Sequence, residues 1–424
     1  MDRIELHDVE YGDCTVLVGR DQSALMVDCG SVSQYVRQDS VEIGPRFDAV
    51  FRRYAAASAR YFLLTHYHRD HMSGFLRKLR QDPNYFDWVC LPALPYTDGR
   101  CPILEIALYA RFFSAPQSDF TQVNTACLTI YDLLHNTVGA ARICTLRAGD
   151  SFMFDRTVYE VLSPGADFVY DPALFDAAAS LDAAMEQIPE TAGFLRLKAE
   201  YLTAYAACQT ALSPTPMGMD HDAALERFSA VWRELEALRG TPALLAAAGP
   251  VQEILQAPAL RQLYTETQND LSLVFHNRRP APGGLDILLA GDVSGNILDT
   301  LSTKLYSSYY AVKAPHHGTE SHWSAVLGQM EIAHLLISNG DYHAGGEVSG
   351  RYIAMESVKH CTNHAACSWF RENGSCCNRL LRCYEQPAAG QLTLKCGSAA
   401  GNRFAPCSIY VFGHNGVRGC HCDR

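Results

Sequence analysis

Short apolar runs of strand type recur along this chain of 424 residues, and several of them end abruptly in side chains that bind metal ions. Tyr61-Phe62-Leu63-Leu64 runs into Thr65-His66-Tyr67-His68-Arg69-Asp70-His71, and Ile287-Leu288-Leu289-Ala290 runs into Gly291-Asp292. Residues 309–312 lead into Lys313-Ala314-Pro315-His316-His317-Gly318, and Leu335-Leu336-Ile337 into Ser338-Asn339-Gly340-Asp341-Tyr342-His343. A short continuous apolar run bounded by turn residues is the pattern of a buried strand. The chain reads as α/β, with its chemistry at strand ends.

Ile4-Glu5-Leu6-His7-Asp8-Val9, Cys14-Thr15-Val16-Leu17-Val18 and Ala24-Leu25-Met26-Val27-Asp28 are β-rich runs separated by turn signals, which predicts an antiparallel opening. Residues 71–81 read as a helix with a basic face of Arg77, Lys78 and Arg80, most simply a solvated face. Further strands are expected at 88–91, 143–146, 157–162 and 271–275. From about residue 167 to 266 the composition turns rich in Ala, Leu and Glu with helical periodicity. The expected organisation is therefore 1–166 and 267–360 as two halves of one domain, 167–266 as a helical insertion, and 361–424 as a Cys-rich C-terminal segment.

His66-x-His68-x-Asp70-His71 places three imidazoles and a carboxylate within six residues. Residues 66 and 68 point the same way in an extended approach and share one metal, while Asp70 and His71, past the turn, reach a second. Mixed imidazole and carboxylate ligands suit zinc, manganese or iron better than magnesium or calcium. Asp292 is placed to bridge two ions, and His316, His317 and His343 are nitrogen candidates at neighbouring strand ends. Asp28 is expected to accept the second ring N–H of a ligand histidine, fixing its tautomer.

The net charge of −11 excludes bulk electrostatic coating of nucleic acid, which needs clustered Lys and Arg. Residues 301–424 nevertheless carry +3, leaving −14 for residues 1–300, so a basic site on an acidic body stays open. The start lacks a basic-then-apolar leader and no stretch nears about 18 apolar residues, so a soluble, cytoplasmic protein without a membrane partner is expected. Nine of the 16 cysteines follow residue 360. Among them Cys361-x2-His364-x2-Cys367, followed by Cys376, has spacing compatible with a small structural zinc site, with free thiols or disulfides as the alternatives.

Gly12-Asp13, Val27-Asp28-Cys29-Gly30 and Leu64-Thr65-His66-Tyr67-His68-Arg69-Asp70-His71 with Gly74, in that order, resemble the metallo-β-lactamase fold superfamily. Asn269-Asp270-Leu271-Ser272-Leu273-Val274, Leu289-Ala290-Gly291-Asp292, Lys313-Ala314-Pro315-His316-His317-Gly318-Thr319 and Ser338-Asn339-Gly340-Asp341-Tyr342-His343 resemble the hydrolase domain of bacterial DNA-uptake competence channel proteins, without their membrane channel. The likeness covers about residues 1–166 and 267–360. It departs from the superfamily at the third motif, since His135 and His221 lack that motif's setting.

The resemblance implies an αββα sandwich with two divalent ions, zinc or manganese, held by His66, His68, Asp70, His71, Asp292 and His316. It implies a metal-dependent nuclease or phosphodiesterase; on physical grounds Asp70 or Asp292 is placed to hold the attacking water, and Lys313, Ser272 and Thr319 are candidates to clamp phosphate, with a solvated strand-end charge as the alternative for Lys313. Stand-alone relatives of that domain are suggestive of bacterial antiviral defence modules, with the helical insertion as a surface for a protein partner. Two other readings stay open: a hydrolase of a small ester, lactone or thioester, and a regulatory binding protein whose metal site is structural.

Overall fold

The computed structural model describes residues 1, 3–36, 41–113, 125–139, 142–214, 220–279, 286–340, 347–362 and 408–412. His343, His364, Cys367 and Cys376 lie outside the described residues. The first half runs β1 (Arg3–His7), β2 (Thr15–Val18), β3 (Ala24–Val27), β4 (Tyr35–Val36), β5 (Val41–Glu42), α1 (Gly44–Arg53), β6 (Arg60–Leu63) and α2 (Arg69–Gln81). It continues with β7 (Trp88–Pro92), α3 (Pro102–Phe113), α4 (Ile130–Thr137), β8 (Ile143–Leu146), β9 (Ser151–Phe154) and β10 (Thr157–Ser163). Five helices follow: α5 (Pro172–Glu186), α6 (Ala192–Ala211), α7 (His221–Ala237), α8 (Pro242–Leu255) and α9 (Pro258–Asp270). The second half holds β11 (Val274–Asn277), β12 (Ile287–Leu289), α10 (Gly295–Thr300), β13 (Ser308–Lys313) and α11 (Ala325–Gly328). The remaining elements are β14 (Glu331–Ile337), α12 (Gly350–Ala354), β15 (Val358–Cys361) and β16 (Ser408–Phe412).

Two seven-stranded sheets form, in the orders β16-β1-β2-β3-β6-β7-β8 and β15-β14-β13-β12-β11-β10-β9. Each changes from antiparallel to parallel pairing midway, at β3 in the first sheet and at β12 in the second. β16 pairs antiparallel with β1, so part of the C-terminal segment closes one edge of the first sheet.

Successive side chains of a strand face opposite ways, and here both faces are buried. Leu17, Leu25, Val27 and Leu63 meet Phe275, Leu289, Ala311 and Leu336 between the sheets. Their chain neighbours Val16, Val18, Met26 and Phe62 pack under the helices outside the first sheet. Val274, Leu288, Val312 and Leu335 pack outside the second, with Leu298 of α10 and Tyr352 of α12. The layers are therefore helix, sheet, sheet, helix, and double burial is why these strands read as continuous apolar runs.

The described residues of 167–266 are mostly helical, and their buried side chains form no separate core among the described residues. Leu174, Phe194, Tyr201 and Phe228 join Ile103, Leu104 and Tyr109 of α3 and Phe75 of α2 in one cluster. Every α3 residue except Arg111 and Phe112 is buried, so its sequence carries no amphipathic period to announce it. The strand expected over 271–275 starts only at Val274, because α9 continues to Asp270 and Ser272 turns inward. Among the described residues, no helix is long and apolar enough to cross a membrane.

Candidate metal centre

The carboxyl ends of parallel strands lie along one rim of a sheet, and ligands bind outside such ends. Here β3 and β6 are parallel neighbours in the first sheet, and β12, β13 and β14 in the second. Face-to-face packing brings the two rims together. Asp28 follows β3, residues 64–71 follow β6, Asp292 follows β12, His316 and His317 follow β13, and Ser338 follows β14.

Four buried residues, Asp70, His71, Asp292 and His317, each bring one ligand atom to within 4.8 Å of the others. His71 Nε2 lies 3.0 Å from Asp292 Oδ2 and 3.9 Å from Asp70 Oδ2. His317 Nε2 lies 3.1 Å from Asp70 Oδ2 and 3.8 Å from Asp292 Oδ2. The outer nitrogens are already committed. His71 Nδ1 donates to Asp28 Oδ2 at 2.8 Å, and His317 Nδ1 donates to the Ser338 carbonyl at 3.0 Å. Each proton is fixed on Nδ1 because its partner only accepts. In the neutral rings both Nε2 lone pairs then face inward at two carboxylates, four acceptors with no donor among them. A divalent cation fits that donor set.

Beside this cluster the His66 ring sits 4.1 Å from that of His71 and 4.5 Å from that of His68. His66 Nδ1 is 3.1 Å from Ser272 Oγ, which in turn accepts from the Asp292 amide at 3.0 Å. The Nε2 atoms of His66 and His68 are buried and make no well-aligned hydrogen bond among the described residues. An unsatisfied buried nitrogen costs about 1–3 kcal/mol, and a second cation would satisfy both.

Backbone geometry holds the site. Asp28 has φ +58°, and its carboxylate accepts from both the amide and the hydroxyl of Thr65, at 2.7 Å each. His316 and His317 are consecutive left-handed residues, φ +45° and +59°, a conformation that costs about 1–3 kcal/mol per residue. Hydrogen bonds from the His316 amide to Asp292 Oδ1 (3.1 Å) and from the Asn339 side chain to the His317 carbonyl (3.1 Å) offset it. Gly30 is required by close approach, since a Cβ there would stand 2.5 Å from the Met72 amide at the start of α2. Asp70 in the first turn of α2 also lies where the helix dipole favours a negative charge.

Burial opposes ionisation of Asp70 and Asp292, yet the facing His71 ring, with His317 for Asp70 and Lys313 for Asp292, holds both carboxyls far below the usual range. Burial likewise works against a charged His71, but Asp292, Asp28 and Asp70 outweigh it and raise that ring strongly. His66 and His68 meet the opposite balance, and burial keeps them neutral, as a ligand must be.

The expected residues thus separate. Asp70, His71 and Asp292 share the four-residue cluster, and the partner from the His316–His317 pair is His317. His316 instead bonds Thr319 Oγ1 through Nδ1 at 2.8 Å, and burial pushes it down to about 3. Lys313, expected to clamp phosphate, is buried against Asp13 and reaches Asp292 Oδ1 at 3.5 Å, so it positions that carboxylate. Ser272 and Thr319 have their hydroxyls in the same internal network. Buried Cys361 sits at the end of β15. The sequence carries no signal for three further neighbours: Tyr11, whose ring lies 4.3 Å from that of His317, His322, whose ring is tilted 3.8 Å from that of His316, and buried Gln268 beside His68.

No family model and no curated protein matches the chain. Among solved structures it is similar to a metallo-β-lactamase bound to 2-mercaptoethanesulfonate, with 14% identity, a TM-score of 0.20, and coverage of 55% of this chain and 92% of that one.

Proposed function

We propose that the chain is a metal-dependent hydrolase with a metallo-β-lactamase-type sandwich, acting on the phosphodiesters of nucleic acid. The observation that carries the metal dependence is the convergence of acceptor atoms from Asp70, His71, Asp292 and His317 beside the orphaned Nε2 atoms of His66 and His68. A centre of two divalent ions, zinc or manganese, is the occupant this donor set favours. Once bound, such ions supply Lewis acidity and a lowered pKa for a coordinated water. Asp28 and the Ser338 carbonyl orient His71 and His317, and Lys313 and the His316 amide hold Asp292. Phosphodiester specificity rests on the competence-domain resemblance of residues 269–274 and 313–319.

The test removes metal with chelator, restores manganese or zinc, and offers single-stranded DNA, duplex DNA and RNA beside a His68→Ala control. Metal-dependent cleavage lost in that variant is the expected result. Two bound ions without cleavage would move the reading to a small ester, lactone or thioester. Absence of bound metal would overturn the centre itself.

A further inference from the structure

We infer that the cleft between α2 and the C-terminal end of α3 binds the backbone of a single-stranded nucleic acid. The inference rests on the phosphodiesterase reading and names the substrate form for it. The cleft has a volume of about 640 Å³ and is lined by Arg69, Arg77, Arg80 and Arg111, with Glu42 as its one acidic lining residue among those described. In a chain of net charge −11, that concentration of guanidinium is a local reversal of sign.

The arginines arise from helical spacing. Arg69, Ser73, Arg77 and Arg80 follow one another at intervals of three or four residues and occupy one face of α2. From Arg69 to Arg80 that face extends about 16 Å, enough for more than one phosphate. The basic face expected to be merely solvated thus forms one wall of a cleft. Its charges are also differently engaged. Arg77 pairs with Asp48 at 2.9 Å, Arg111 with Glu236 at 3.0 Å, and Lys78 with Asp82 at 3.3 Å. Among the described residues, Arg69 and Arg80 have no ion-pair or hydrogen-bond partner.

Two features connect the cleft with the metal centre and select a single strand. Two parts of the lining begin at residues of the candidate metal site: α2 starts directly after His68, and the lining residues Ser31, Ser33 and Gln34 continue the loop that begins at Asp28. The walls are joined where the Ser31 amide donates to Ser73 Oγ at 2.9 Å and Ser73 Oγ donates to the Ser31 carbonyl at 3.0 Å. The cleft also displays Tyr35, which is 54% exposed. An exposed aromatic beside free guanidinium groups is the arrangement on which unpaired bases stack while the backbone follows the positive charge. A base held within a duplex offers no free face to such a ring.

The test uses the chelator-treated full-length protein, so that binding is read without turnover. A fluorescently labelled single-stranded oligonucleotide is titrated by anisotropy at 50 and 200 mM salt, beside the same sequence as a duplex. Arg80→Glu is expected to weaken single-strand binding at least tenfold at low salt and to lower the slope of log K against log salt by about 0.7 per lost phosphate contact. Tyr35→Ala is expected to weaken it by roughly tenfold and leave that slope unchanged. Both side chains are solvent-exposed, so both variants should keep the wild-type circular dichroism spectrum. Single-strand binding unchanged in both variants would overturn the inference, as would duplex binding with the same sensitivity to Tyr35→Ala. Hydrolysis of bis(4-nitrophenyl) phosphate by the metal-loaded protein reports separately on the phosphodiesterase reading. If the wild-type protein fails to hydrolyse it, that reading falls and the anisotropy alone decides the cleft.

Discussion

The first sheet and the second sheet contribute to the candidate metal centre in different ways. From the first come His66 and His68, on the short loop after β6, and Asp70 and His71, in the first turn of α2. From the second come Asp292, Lys313 and His317, drawn from the ends of two strands and supported by Ser338 on a third. The second-sheet groups are tied down within the protein: Asp292 by Lys313 and the His316 amide, His317 by the Ser338 carbonyl and the Asn339 amide group. The first-sheet pair His66 and His68 instead ends in Nε2 atoms that make no well-aligned hydrogen bond among the described residues. One side of the centre is a preformed scaffold, and the other waits for a cation to complete its bonding.

The largest expected effect tests the scaffold. Lys313→Met leaves Asp13 buried without its counter-charge and removes one of the cations facing Asp292, and should lower the stability of the metal-free protein by about 3–5 kcal/mol. His68→Gln should cost distinctly less, because among the described residues its Nε2 makes no well-aligned hydrogen bond, with Gln268 beside the ring. Urea midpoints of the two variants measure the contrast, and equal losses would erase it.

Acid separates a third histidine of the same rim. His7, at the end of β1, is buried with its Nε2 bonded to the Tyr54 hydroxyl, and burial pushes it down to about 4 from 6.5. Below pH 6.5 the unfolded chain takes up a proton that the folded chain refuses, so stability falls as pH drops and levels off near pH 4. The loss totals about 3 kcal/mol. His7→Phe should flatten that part of the stability curve, and adding metal should leave the His7 contribution where it is.

Metal addition reads the other side. At a free concentration of 100 times Kd, the ion should stabilise the wild type by about 2.7 kcal/mol. His68→Gln should hold fewer ions per chain by elemental analysis and lose part of that gain, whereas Thr65→Val should keep the ion count. The smallest effect belongs to Thr65→Val itself, about 1 kcal/mol for the lost hydroxyl bond to Asp28, visible in thermal melts.

This contrast also explains what could be read in advance. A contiguous motif such as 66–71 announces candidate ligands because local spacing alone brings residues of ligand type together. Asp292 and the histidines after β13 could be nominated only as strand-end residues, and the choice between His316 and His317 turned on two left-handed backbone positions. Lys313 looks in sequence like a charge available to substrate, and only the fold reveals Asp13 at its ammonium. The basic face of α2 was legible as a face, but the cleft requires α3 and the residues around Tyr35, which are remote in the chain. Helix α3 was invisible for the opposite reason: burial on nearly every side removes the polar stripe that marks a surface helix.

By itself the amino-acid sequence determined the strand-and-ligand alternation, the helical character of residues 167–266 and the metal-binding type of the 66–71 loop, because these depend on neighbours within a few residues. Tertiary structure decided which strand ends meet, which histidine of the pair enters the cluster, and which cations are already paired. Those outcomes depend on two sheets packing rim to rim, a relation between residues more than 200 positions apart such as His71 and Asp292.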